Sequence, residues 1–134
     1  MIFGLYSIQL LINKMKKILV IEDDYDIGFT VEMALADEYV VMVLNEAFHI
    51  ISSLHDFLPD LILIDNSIGP REAPEIINEI RSFDAYQNIP FVLFSAHPNI
   101  EKIADDILAN AYLAKPFDLD DLYSCIEGVL ELNN

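Results

Sequence analysis

Cations are scarce in this chain. Seven Lys and Arg stand against 23 Asp and Glu among 134 residues, a formal net charge of −16. A surface this negative repels phosphate backbones and anionic headgroups, which argues against direct nucleic-acid or membrane-surface binding by the folded domain. Cysteine is scarcer still. The single Cys125 permits no intramolecular disulfide, the usage of a reducing cytosol, and it is read as a packing residue of the last helix. There is no long apolar run either. The first twelve residues, MIFGLYSIQLLI, fall short of the ~20 a spanning helix needs. The cluster Lys14, Lys16, Lys17 follows the apolar stretch instead of preceding it, the wrong order for a secretory signal. Residues 1–14 are therefore read as an N-terminal extension, from an upstream start or a short packing segment, and 15–134 as one cytoplasmic domain. The interior shows no repeat, low-complexity tract or linker, and the chain stops directly after a helical pattern, so no second domain is expected. With 54% hydrophobic residues, a chain of this length builds a core without disulfides or a structural metal.

What is present is an alternation. Short apolar runs at 17–22 (KILVIE), 39–44 (YVVMVL), 61–65 (LILID), 91–95 (FVLFS) and 111–114 (AYLA) read as strands buried on both faces. Between them lie helical patterns. Ile27, Val31, Ala34 and Leu35 mark a helix from the acids Asp23–Asp26 to about Asp37, and 46–58 a second with Phe48, Ile51 and Leu54 inward. After a loop at 66–70 a third follows with Ile76, Ile77 and Ile80; the fourth spans 99–109. The last, 118–131, carries Leu119, Leu122, Tyr123, Ile126 and Leu130 on one face. Five β–α pairs predict an α/β fold with a parallel sheet covered on both sides by right-handed crossovers.

In such an open sheet the functional site lies beyond the carboxyl ends of the strands, at the switch point of strand order. Strand one ends in Glu22, Asp23 and Asp24, strand three in Asp65, strand four in Ser95, and strand five is followed by Lys115-Pro116. In the order 2-1-3-4-5 strands one and three are neighbours, so Glu22, Asp23 and Asp65 converge. One like-charge pair at ~4 Å costs about 4 kcal/mol at an effective dielectric near 20. A hard divalent cation such as Mg²⁺ is the usual remedy, and it leaves positions open for a phosphoryl oxygen. With Lys115 as a mobile ammonium and Ser95 as a hydroxyl donor, the set has the parts phosphoryl transfer needs.

KKILVIEDD, PDLILID, FVLFSA and YLAKPF, in this order and spacing, resemble the signature blocks of the receiver domain of two-component response regulators. The resemblance covers residues 15 to about 132. It implies a flavodoxin-like (βα)5 fold, and a domain that takes a phosphoryl group from a histidine kinase or histidine phosphotransfer protein rather than a metabolic enzyme. By position, Glu22 and Asp23 resemble the metal-binding acid pair, Asp65 the phosphoacceptor and Ser67 the residue whose backbone carbonyl completes the Mg²⁺ site. Ser95 resembles the switch hydroxyl, Lys115 the phosphate-binding lysine and Tyr112 the switch aromatic. The bond before the proline after that lysine is often cis in the family. The face around the fourth helix, fifth strand and fifth helix would then engage a target protein.

Three stretches depart from the family pattern. After Asp65 the chain reads NSIGPREAPEII, with Ile68-Gly69-Pro70 where a Met-Pro pair is usual. The segment ILANAYLA is about two residues short ahead of strand five. Ser67 and His97 occupy positions that tune dephosphorylation in the family. The first two motivate an alternative, a phosphorylation-independent receiver-like binding module. A flavodoxin-like cofactor carrier is disfavoured, since acids stand after strand one where a phosphate loop would be. Of the other cations, Arg71 and Arg81 are expected to answer local acids such as Glu72, Glu75 and Glu79. The three histidines are read as ordinary helix or loop residues.

Overall fold

A computed structural model of the chain describes residues 2–132. Helix α1 (Ile2–Lys14) comes first, with Leu5, Tyr6, Ile8 and Leu10 exposed. The alternation then begins: β1 (Lys17–Ile21), α2 (Tyr25–Leu35), β2 (Val40–Leu44), α3 (Ile50–Phe57) and β3 (Leu61–Asp65). A small hairpin, β4 (Ser67–Ile68) and β5 (Arg71–Glu72), leads into α4 (Ala73–Arg81). The chain closes with β6 (Phe91–Ser95), α5 (Ile100–Asp106), β7 (Ala111–Ala114) and α6 (Leu119–Leu132).

The main sheet is five-stranded in the order β2-β1-β3-β6-β7, every pair parallel, which is the flavodoxin-like order expected from the sequence. The central strands β1, β3 and β6 are buried on both faces because alternate residues face two different cores, whereas the edge strands β2 and β7 are only partly buried, short of the burial expected of them. Leu19, Ile21, Ile62, Ile64 and Leu93 pack with α3, α4 and α5, whereas Ile18, Val20, Leu63, Val92 and Phe94 pack with α2 and α6. A side chain of this size buried from water contributes roughly 1.5–3 kcal/mol, so sheet and crossover helices hold each other.

Register places the strand ends side by side. Ile21 pairs with Leu44 on one flank and Ile64 on the other, and Asp65 pairs with Phe94. Glu22, Asp65 and Ser95 therefore leave the sheet along one edge.

Several expectations are corrected. The helix expected from 46 starts at Ile50, and Phe48 lies in the preceding turn, 82% exposed instead of inward. On α6 Leu122, Ile126 and Leu130 are buried, but Leu119, in the first turn, is exposed. The loop at 66–70 is largely hairpin. Gly69, at a φ of +59°, takes the first central position of its two-residue turn and Pro70 the second, the pattern of a type II′ turn.

Candidate functional site

Each carboxylate owes its place to a local backbone feature. Glu22 follows β1 directly; its N–H donates to the Leu44 carbonyl (2.9 Å) and its own carbonyl accepts from Asn45 Nδ2 (2.8 Å). That holds the residue on both sides. Gly28 of α2 makes the close approach possible, because a Cβ there would stand 3.0 Å from Val43 Cγ1 and 3.4 Å from Asn45 Nδ2. Asp24 caps α2, its Oδ1 accepting from the amides of Asp26 (2.9 Å) and Ile27 (3.1 Å). This is the helix-start role expected of an acid at that position, and it leaves Asp23 to the site. Asp23 Oδ2 accepts from the Gly69 amide (3.1 Å), and Asp65 Oδ1 from the Asn66 amide (2.9 Å).

One oxygen from each of Glu22, Asp23 and Asp65 lies within 4.8 Å of the others. Lys115 stands on the other side, Nζ 2.6 Å from Glu22 Oε1, 3.5 Å from Asp65 Oδ1 and 4.6 Å from the Phe94 ring centroid. Its backbone is fixed by a bond from its N–H to the Ser95 carbonyl (2.9 Å) and is followed by a cis peptide to Pro116. Glu22 is only 1% exposed, and its Oε2 is buried with no hydrogen-bond partner. Burial pushes its carboxyl up from 4.5 to about 7; Asp65 pushes the same way, and Lys115 pulls it back down.

An orphaned, buried carboxylate oxygen beside two further carboxylates is a donor set for a hard cation. Glu22, Asp23 and Asp65 thus fit Mg²⁺ on the chemistry of this site. Ser95 closes β6, buried, and its hydroxyl accepts from the His97 amide (3.1 Å), which leaves its own proton free to donate. Ser67 sits two residues beyond Asp65 in β4, opposite Glu72. Tyr112 lies in β7, next to Leu93 in register and 40% exposed. The strand-end residues expected from the sequence are brought together; Tyr112 stands apart on the β7 flank.

Asn45 and Gly69 were not foreseen: Asn45 acts on the Glu22 carbonyl, and Gly69 through its own amide on the Asp23 carboxylate. The turn-forming pair Gly69-Pro70 was the only sequence signal. Arg71 meets Glu75 (2.9 Å) and Glu79, as expected. Among the described residues Arg81 pairs with no acid. Its guanidinium donates to the carbonyls of Ile107 and Leu108 and lies 5.2 Å from the Phe91 ring centroid. The carbonyls that follow α5 lack helix partners and accept from the Arg81 guanidinium, while Glu75 and Glu79 of its own helix are held by Arg71.

Comparison with known proteins agrees with this geometry. The response regulator receiver domain family matches residues 18–127. The transcriptional regulatory protein KdpE of Staphylococcus aureus is 35% identical over 116 residues, 84% of this chain but 49% of that protein. Sporulation initiation phosphotransferase F of Bacillus subtilis is 25% identical over 122 residues, 89% of this chain and 97% of that protein. The chain thus spans about half of the first relative and nearly all of the second. Among solved structures, the chemotaxis response regulator CheY4 of Vibrio cholerae shares the fold with a TM-score of 0.79 at 22% identity, covering 87% of this chain and 99% of that one. NtrX of Brucella abortus gives 0.81 at 27% identity, covering 89% of this chain and 28% of that one. No helix among the described residues is long and apolar enough to cross a membrane. The chain belongs to the response regulator receiver domain family.

Proposed function

We propose that this chain is a cytoplasmic, stand-alone receiver that accepts a phosphoryl group on Asp65 from a histidine kinase or histidine phosphotransfer protein and passes the signal on by protein–protein contact. The observation that carries the reading is the convergence of Glu22, Asp23 and Asp65 within 4.8 Å, with Lys115 Nζ at 3.5 Å from Asp65 Oδ1.

Glu22, Asp23, Asp65 and the Ser67 carbonyl would hold Mg²⁺. When bound, the cation neutralises carboxylate charge and charge on the phosphoryl oxygens. The chain's own groups do the rest. Asp65 attacks phosphorus in line, the P–N bond of a phosphohistidine breaks, and the leaving imidazole keeps the electron pair and takes up a proton. Lys115 brings a positive charge to the equatorial oxygens, and Ser95 can donate its free proton to one of them. Tyr112, exposed on β7, would report the change on the face formed by α5, β7 and α6.

The alternative of a phosphorylation-independent module rested on the irregular 66–74 segment and the short exit from the fourth helix. The first forms a hairpin whose Gly69 amide donates to Asp23, and the second is tied down by Arg81, so neither draws a residue away from the acidic cluster. The test is incubation with Mg²⁺ and acetyl phosphate followed by intact mass. One added phosphoryl group is expected in the wild type and none in Asp65→Ala. Absence of the adduct together with absence of Mg²⁺ binding refutes the reading. A beryllofluoride complex that leaves the surroundings of Tyr112 unchanged would remove the switch alone.

A further inference from the structure

Among the three carboxylates Asp23 is the least constrained by burial. Glu22 is buried and Asp65 half-buried, while Asp23 is exposed. It also borders a cavity of about 230 Å³ lined by Asn45, Phe48, Gly69 and Arg71 among others. Repulsion from Glu22 and Asp65 favours a swing of its side chain into that space, away from the position where three oxygens meet. The hydrogen bond it accepts from the Gly69 amide opposes the swing.

The donor is held firmly. Ile68, 1% exposed, anchors β4 in the core, and the Ala73 amide donates to the Asn66 carbonyl at 2.8 Å behind β5. Arg71 ties β5 to Glu75 and Glu79 of α4. The left-handed φ of Gly69, +59°, makes it the turn residue, and the turn aims its N–H at Asp23 Oδ2. The order of the turn matters. Gly69 lies four residues after Asp65, where the family commonly carries proline, which has no N–H to give.

We infer that the Gly69 amide is a positioning group for the metal site: by holding Asp23 Oδ2 it keeps the carboxylate beside Glu22 and Asp65 and thereby raises the affinity for Mg²⁺. The inference rests on the proposed cation role of these carboxylates. Outer partners of metal ligands typically change affinity 10–100-fold, and an exposed ligand belongs at the lower end, about tenfold.

The test is a Mg²⁺ titration of the full chain followed by amide NMR shifts, which report the dissociation constant and the fold together. The exchange Gly69→Pro/Pro70→Gly, which removes the donor and turns the type II′ turn into a type II turn because proline holds φ near about −65°, should bind about tenfold more weakly. Gly69→Asn keeps the N–H, tolerates the left-handed backbone and meets nothing within 4 Å at Cβ. It should bind within roughly twofold of the wild type. With Asp23→Ala as background, the exchange should change nothing further. Equal affinity of wild type and exchange variant overturns the inference, as does a loss of the same size in the Asp23→Ala background. If the exchange variant fails to fold, the unmodified turn decides: the Gly69 amide should be protected from hydrogen exchange in the wild type and not in Asp23→Ala, and equal exchange in the two refutes the bond. A wild type that binds no Mg²⁺ overturns the function reading and this inference with it, whereas wild-type binding with an unaffected exchange variant overturns the inference alone.

Discussion

Glu22 gives the sharpest physical handle on the site. In the folded chain, burial raises its carboxyl from 4.5 to about 7. Between those values the folded state binds more protons than the unfolded one, so stability must fall as pH rises through this window, opposite to the usual effect of a salt-bridged carboxylate. Each pH unit between the two values is worth about 1.4 kcal/mol, so the full effect approaches ~3 kcal/mol by pH 8. Lys115 is already included, because its hydrogen bond and charge oppose the rise and do not cancel it. Other groups titrate over the same range, and Glu22→Gln subtracts them: it keeps shape and volume and carries no charge to lose. The assay is urea denaturation at several pH values from 4.5 to 8.5, wild type against Glu22→Gln, without added metal. The wild-type stability minus that of the variant should fall by about 3 kcal/mol from the acidic to the basic end. Mg²⁺ should recover much of the deficit in the wild type at pH 8 and little at pH 5, since a ligand that binds only the folded state stabilises it by mass action. A difference that stays flat to within roughly 0.5 kcal/mol, the usual error of additivity, refutes the claim that Glu22 is strained by burial.

Two further outcomes test the frame around the site. Arg81→Met removes the donors to the carbonyls of Ile107 and Leu108 and the stacking on Phe91, and should cost about 1–3 kcal/mol in urea denaturation with Mg²⁺ affinity unchanged. Leu58 ends α3 in the left-handed region at a φ of 54° with its side chain exposed, so Leu58→Gly should stabilise the fold by up to about 1 kcal/mol; a loss of stability would show that the leucine side chain matters more than its backbone.

The central strands were legible because KILVI, LILID and FVLFS are apolar runs with an acid or proline beside them. A strand buried on both faces has no other pattern to adopt, and LILID and FVLFS fall where the sheet has them. The acidic edge was legible for the same reason: once strand ends are known, a parallel sheet aligns them. Phe48 was misread because a hydrophobic residue one turn ahead of Ile51 fits a helical period, yet α3 starts only at Ile50. The hairpin was missed since two-residue strands carry no period at all; its information is in the turn pair Gly69-Pro70. Arg81 could not be placed from neighbours in sequence, because its partners are backbone carbonyls 26 and 27 residues away. At Arg81 and Gly69 what the sequence hides is a contact made through backbone atoms.

The scarcity of cations also has a consequence for the order of events at the site. Outside it, Arg71 is committed to Glu75 and Glu79, Arg81 to carbonyls, Lys102 to Asp106, and Lys17 to the Phe57 carbonyl. Lys115 alone among the described cations faces Asp65, and it is shared with Glu22 at 2.6 Å. A phosphoryl group on Asp65 would carry more charge than Glu22 and compete for the same ammonium. Glu22, buried, would then lose its one described charge partner, and an unpaired buried charge costs about 3–5 kcal/mol. Two events can relieve that cost: protonation of Glu22, which its raised carboxyl favours below about pH 7, or a divalent cation on the three carboxylates. On the proposed reading, phosphorylation above pH 7 is therefore tied to Mg²⁺ by Glu22 as much as by Asp65, because no other described cation is positioned to take the place of Lys115.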